Sequence, residues 1–192
     1  MLFRSTGYTG KVLYGYGSTT GSYASNSQSI GTIVSGGAAN IEFTSIPATY
    51  TDLAIKLSVR TSDTQDTGNV GMNMKINTAT TGYTGKVLYG YGSTTGSYAS
   101  NSQSIGTIVS GGASVNSMFS NHEVYIPNYA GSTAKSYSVD AVSTVNSTTL
   151  SEADLIAKAQ SSTSAITDLT FTCASGNFVQ YSTATLYGIK NS

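Results

Sequence analysis

Few residues in this chain are of types that do chemistry, and their spacing limits what they can do. His122 is the single histidine. One imidazole cannot build the two- or three-histidine sites that zinc enzymes use. A Ser-His-Asp arrangement has serines in abundance, but no G-x-S-x-G turn raises one of them as a nucleophile. His122 alternates with Val124 and Ile126 on one side of an apolar stretch, so a core or interface position is expected for it. Glu123, Asp140, Asp154 and Asp168 offer carboxylates for glycoside hydrolysis, which requires two of them about 5–9 Å apart across a groove. Sequence spacing alone does not pair them. Asp63 and Asp66 lie in Ser62-Asp63-Thr64-Gln65-Asp66-Thr67-Gly68-Asn69 and lack the D-x-D-x-D-G spacing of a calcium loop. A solvated hairpin loop is expected there.

Glycine-rich stretches invite a nucleotide reading and fail it. In Gly7-Tyr8-Thr9-Gly10-Lys11-Val12, valine follows the lysine where a phosphate loop needs Ser or Thr for magnesium. Tyr14-Gly15-Tyr16-Gly17 has no helix after it. The expectation is therefore no catalytic, cofactor-binding or metal site. Tyr83, Tyr89, Tyr91 and Tyr98 stand among Ser, Asn and Gly, a composition that combines rigid aromatic area with adaptable hydrogen bonding. They suit contact with a glycan, a protein or a neighbouring subunit. Asn146-Ser147-Thr148 matches a glycosylation acceptor. The opening residues lack the apolar run of a secretory leader, so that motif is discounted.

Nine basic residues balance nine acidic ones, and charged residues make up only 9% of the chain. Such a balance attracts neither nucleic acid nor an anionic membrane, and no apolar run is long enough to span a bilayer. The lone Cys173 excludes an intrachain disulfide and fits a reducing compartment.

The elements that must position these residues alternate with period two. Leu53, Ile55, Leu57 and Val59 share one face, as do Val70, Met72, Met74 and Ile76. Further strands are expected over Asn40–Ile46, 86–91, 104–109, Met118–Ile126, Ser136–Val142, Ile166–Cys173 and Phe178–Ile189. Glu152–Gln160 sets Leu155, Ala157 and Ala159 on one side; it reads as a strand, although its propensity also suits a helix. About eight short strands separated by polar turns indicate an all-β antiparallel sandwich of jelly-roll type over residues 39–192.

Residues 6–38 are repeated letter for letter as residues 81–113. The second copy supplies strands the sandwich needs, and its Gly-Ser-Thr-Thr-Gly-Ser segment reads as a loop. The first copy, with strand candidates at Lys11–Tyr16 and Ser29–Val34, has no vacant place in that sandwich. Residues 1–38 are expected to form an N-terminal β arm that adds a strand to a sheet edge.

Three phrases, NIEFTSIPATYTDLAIKLSVRTS (40–62), EVYIPNYAGSTAKSYSVDAV (123–142) and AITDLTFTCASGNFVQYSTATLYGI (165–189), resemble small structural proteins of tailed bacteriophages, described as virion structural or tail-fibre-like proteins. The resemblance covers about residues 35–189 and runs in register. It implies a non-enzymatic, β-rich component of the virion, assembled in the host cytoplasm. The implied partners are other virion proteins of the capsid or tail, and further copies of itself, a homotrimer by analogy with fibres and spikes. It also leaves open a tail-fibre module that binds a host-surface glycan. The family pattern begins just before residue 39, so the first copy of the repeat departs from it.

Overall fold

A computed structural model describes residues 11–13, 31–32, 37–64, 69–109, 118–144 and 151–189. All of its elements are strands, and all of their pairings are antiparallel. Two short ones fall in the first repeat copy, β1 (Lys11–Leu13) and β2 (Gly31–Thr32). Eleven follow: β3 (Asn40–Phe43), β4 (Asp52–Val59), β5 (Asn69–Ile76), β6 (Tyr83–Tyr91), β7 (Thr94–Ser100), β8 (Ser104–Val109), β9 (Ser120–Ile126), β10 (Lys135–Ser143), β11 (Glu152–Gln160), β12 (Leu169–Cys173) and β13 (Thr183–Ile189).

These eleven form two sheets. The smaller runs β3-β12-β5-β8, and the larger runs β13-β4-β9-β10-β11-β6-β7. The fold is an all-β antiparallel sandwich. Eleven strands stand where about eight were expected, and residues 81–113 form three strands where two were expected. The segment read as a loop is the start of β7, joined to β6 by the two-residue turn Gly92-Ser93. Gly92 has a φ of +55°, which suits the tight turns that match strand twist. The final strand is shorter than Phe178–Ile189, because Tyr181 turns the chain at a φ of +70° before β13 begins.

Period-two alternation places the core where it was expected. Leu53, Ile55, Leu57 and Val59 of β4 are buried, as are Val124 and Ile126 of β9. From the smaller sheet come Met72, Met74, Phe43 and Phe171; the two phenylalanine rings meet edge to face at 6.2 Å and 88°. Each such side chain contributes roughly 1.5–3 kcal/mol by leaving water. Two of the tyrosine hydroxyls reaching this core find partners, while that of Tyr137 has none among the described residues. The Tyr83 hydroxyl accepts from the Ile76 N–H at 2.9 Å and donates to the Ala79 carbonyl at 3.3 Å. The Tyr129 hydroxyl donates to the Pro47 carbonyl.

The described parts of the first copy lie along β13. Lys11–Leu13 pairs with Leu186–Gly188, and Gly31–Thr32 pairs with Thr183–Ala184. This is the edge of the larger sheet opposite β7.

Candidate functional site

The larger sheet is wider than the smaller one. Strand β8 packs over β9, β10 and β11, and β6 and β7 lie beyond β11. Among the described residues the inner face of the larger sheet therefore has a part covered by β8 and a more exposed shelf at β6 and β7, where Tyr98 is exposed. One cross-strand row traverses both: Leu57, His122, Ala141, Asp154, Tyr89 and Gly96. Its apolar end is core. Its far end is polar and aromatic.

His122 lies on the covered side, 3% exposed, and neither ring nitrogen has a hydrogen-bond partner among the described residues. Burial lowers its pKa from 6.5 to about 4, against a smaller opposing influence from the Thr107 backbone, so the imidazole is neutral near pH 7. No serine hydroxyl among the described residues bonds to it, and no nucleophile–base pair is assembled around it.

Gly106 of β8 passes directly over Ala141. A Cβ placed on Gly106 would come within 2.8 Å of the Ala141 Cβ and 2.9 Å of Asp154 Oδ2, with His122 Nε2 at 3.7 Å. Its φ of +102° also disfavours any side chain. Glycine is what lets β8 close onto the row and lets the Thr107 backbone reach Asp154. That contact holds the Asp154 pKa down only in part. Burial first, then the Glu152 charge, pushes it up to about 6.

Only Asp154, of the four carboxylates considered for hydrolysis, faces this interior. Asp140 and Glu123 pair with each other across β10 and β9 on the opposite, outer face, where Glu123 also meets Lys56 Nζ at 3.1 Å. Asp168 lies in the segment before β12, where its carboxylate accepts from the Thr167 hydroxyl at 2.6 Å. The carboxylate that does join Asp154 is Glu152, two residues earlier on the same strand. Reading β11 by its apolar side hid this pair. Glu152 Oε2 accepts from the Thr107 hydroxyl at 3.2 Å.

The four tyrosines are on strands and not in loops. Tyr83 belongs to the core at 2% exposure. Tyr89 and Tyr91 of β6 are half-buried, and Tyr98 of β7 is 48% exposed. The Tyr89 and Tyr98 rings lie 6.0 Å apart, tilted by 52°. Tyr89 packs flat on Gly96, where an added Cβ would meet its hydroxyl at 2.7 Å. Burial raises the Tyr98 pKa, and so do the charges of Asp154 and Glu152, which places rings and carboxylates in one field. Lys158 stands beside them, its ammonium donating to Ser100 Oγ at 2.7 Å and the Ser102 carbonyl at 2.8 Å.

Asp63 is buried and its N–H donates to Thr61 Oγ1 at 3.2 Å. Asp66 and Asn146-Ser147-Thr148 lie outside the described residues, as does the Gly7–Gly10 segment. Among the described residues no three His, Cys, Asp or Glu side chains are grouped to hold a metal ion. Burial pushes the Cys173 thiol up to about 11, so it is not a thiolate at neutral pH. Among the described residues no helix is long and apolar enough to cross a membrane.

Comparison with known proteins finds no matching family model, no similar curated protein and no matching solved structure.

Proposed function

We propose that this protein is a non-enzymatic structural module of a tailed-phage virion, displayed on the particle as a capsid decoration or as part of a fibre or tail appendage. Beside the sequence resemblance, the reading rests on the outer face of the larger sheet. There Leu88 (49% exposed) pairs across strands with Leu155 (54%), and Val142 (48%) pairs with Ala153. Ala157 and Ala99 extend the same surface. A contiguous apolar patch on a sheet face marks a contact surface, and repeated particle components meet their own copies.

Strand order supports reading the sandwich as a jelly roll. Strands β3, β12, β5 and β8 alternate with β4, β9, β6 and β7 between the sheets, as two nested Greek keys require. The β10–β11 hairpin is inserted between β9 and β6, and β13 is added outside β4.

The expected assembly is a homotrimer held at this face. Light scattering on the full chain should give three copies, and Leu88→Lys with Leu155→Lys should give a monomer of unchanged melting temperature. A wild-type monomer at every concentration, together with absence of the protein from purified particles by mass spectrometry, would overturn the proposal.

A second reading, recognition of a host-surface glycan, is favoured by one specific observation. The half-exposed Tyr98 ring lies tilted over Tyr89 with carboxylates beside it, on a part of the inner face that no strand of the smaller sheet covers among the described residues.

A further inference from the structure

The shelf has the components of a small recognition site. Tyr98 offers an exposed ring at its mouth, and Tyr89 backs it, held flat by Gly96. Behind the rings, Asp154 is buried and Glu152 half-buried, both on the inner side of β11. Thr107 places a hydroxyl against Glu152. The lysine of this neighbourhood, Lys158, is 4% exposed and spends its donors on Ser100 and Ser102. The shelf therefore presents flat aromatic surface and the partly exposed Glu152 carboxylate, with the Asp154 charge buried behind it and the Lys158 ammonium already engaged.

That chemistry selects among ligands. The C–H face of a sugar ring packs on an aromatic face, while its hydroxyls donate to carboxylates. An acidic sugar would bring a third negative charge beside two carboxylates already crowding each other. We infer that the Tyr89–Tyr98 shelf binds an uncharged pyranose, stacking it on Tyr98 and accepting a hydroxyl hydrogen at Glu152, with the buried Asp154 charge behind. This rests on the glycan-recognition reading and adds the place and the sugar class. Charge selection comes from the carboxylates and affinity from the ring, so the two separate on mutation.

The test uses the isotope-labelled full chain, titrated by NMR with oligosaccharides of glucose, galactose and mannose, and with oligogalacturonate, in which every ring is charged. The expected result is saturable shifts on β6, β7 and β11 for at least one neutral sugar and none for oligogalacturonate. Tyr98→Ala should weaken that binding roughly ten-fold or more, the loss of one aromatic platform. Tyr98→Phe should keep it, and Tyr181→Ala, at an exposed tyrosine away from the shelf, should leave it unchanged. Shifts that map to another surface would overturn the shelf while sparing glycan recognition. Equal binding of oligogalacturonate, or indifference to Tyr98→Ala, would overturn the proposed chemistry. No binding by any of these sugars would remove both.

Discussion

Residues 6–38 and 81–113 are one sequence at two places, and the described parts of the two copies pair differently. In the second copy Lys86-Val87-Leu88 sits inside the larger sheet, with β11 on one side and β7 on the other. In the first, Lys11-Val12-Leu13 pairs with β13, at the far edge of that sheet. Gly106-Thr107 belongs to the smaller sheet, where Thr107 pairs with Gly71 of β5; Gly31-Thr32 pairs with β13 of the larger. Identical propensities, turns and apolar spacing thus lead to different neighbours. A strand is a half-finished object, and what completes it is the partner that the rest of the chain delivers.

Deletion tests this asymmetry most strongly. Removing residues 81–113 takes away β6, β7 and β8, uncovers the β11 edge and opens the core around Ile105 and Val87. No cooperative unfolding transition should remain by circular dichroism. Among the described residues, removing 6–38 takes away two short pairings along β13 and the Ala38–Phe178 bridge, and a cooperative transition should survive. Equal damage from both deletions would mean that the copies carry equal structural weight.

Glycine substitution sharpens the comparison at one position. Gly106→Ala meets both a positive φ and the contact with Ala141, and should cost about 2–4 kcal/mol in urea unfolding. Gly31→Ala, the same change in the first copy, should cost clearly less. Similar values would show that the Gly106 contact is not what constrains that position.

Acid titration reads the buried row that only the second copy covers. The folded pKa of His122 lies below its unfolded value of 6.5, so its unfolded form takes up the proton first. Its contribution is present above pH 6.5 and is lost as the pH falls toward 4, roughly 3 kcal/mol in all. The folded pKa of Asp154 lies above its unfolded value of 3.8. Its contribution is present below that value and is lost as the pH rises through about 6. The two oppose each other between pH 4 and 6. Asp154→Asn should therefore leave a protein that weakens on acidification through this window, and His122→Gln one that weakens as the pH rises through it. Parallel stability curves for the two variants would contradict the assignment.

Much of the sandwich is legible before any coordinates. The runs at residues 53–59, 70–76 and 122–126 alternate so regularly that their inner faces follow directly, His122 included. Strand β11 is where that logic fails. Its apolar side, with Leu155 and Ala157, faces out, while Asp154, Ile156, Lys158 and Gln160 face in. Here the inner side chains are buried although three of the four are polar, and the exposed face carries Leu155, so hydrophobicity alone points the wrong way. Lys158 is tolerated inside because two oxygens receive its ammonium, which no pattern of spacing announces. The loop reading of 92–97 failed for a related reason. Gly and Ser mask the strand preference of the two threonines, and β7 is held by a ladder to β6 along its whole length.

By itself the sequence determined the period, the turns and most of the buried positions, because these are local consequences of side-chain alternation and of Gly, Pro and Asn in the backbone. Tertiary structure decided the neighbours. It placed Tyr89 and Tyr98 beside Glu152 and Asp154, and it gave two identical stretches different addresses. Strand pairing is a contest among distant edges, settled by which partner, face and connection the whole chain makes available at once.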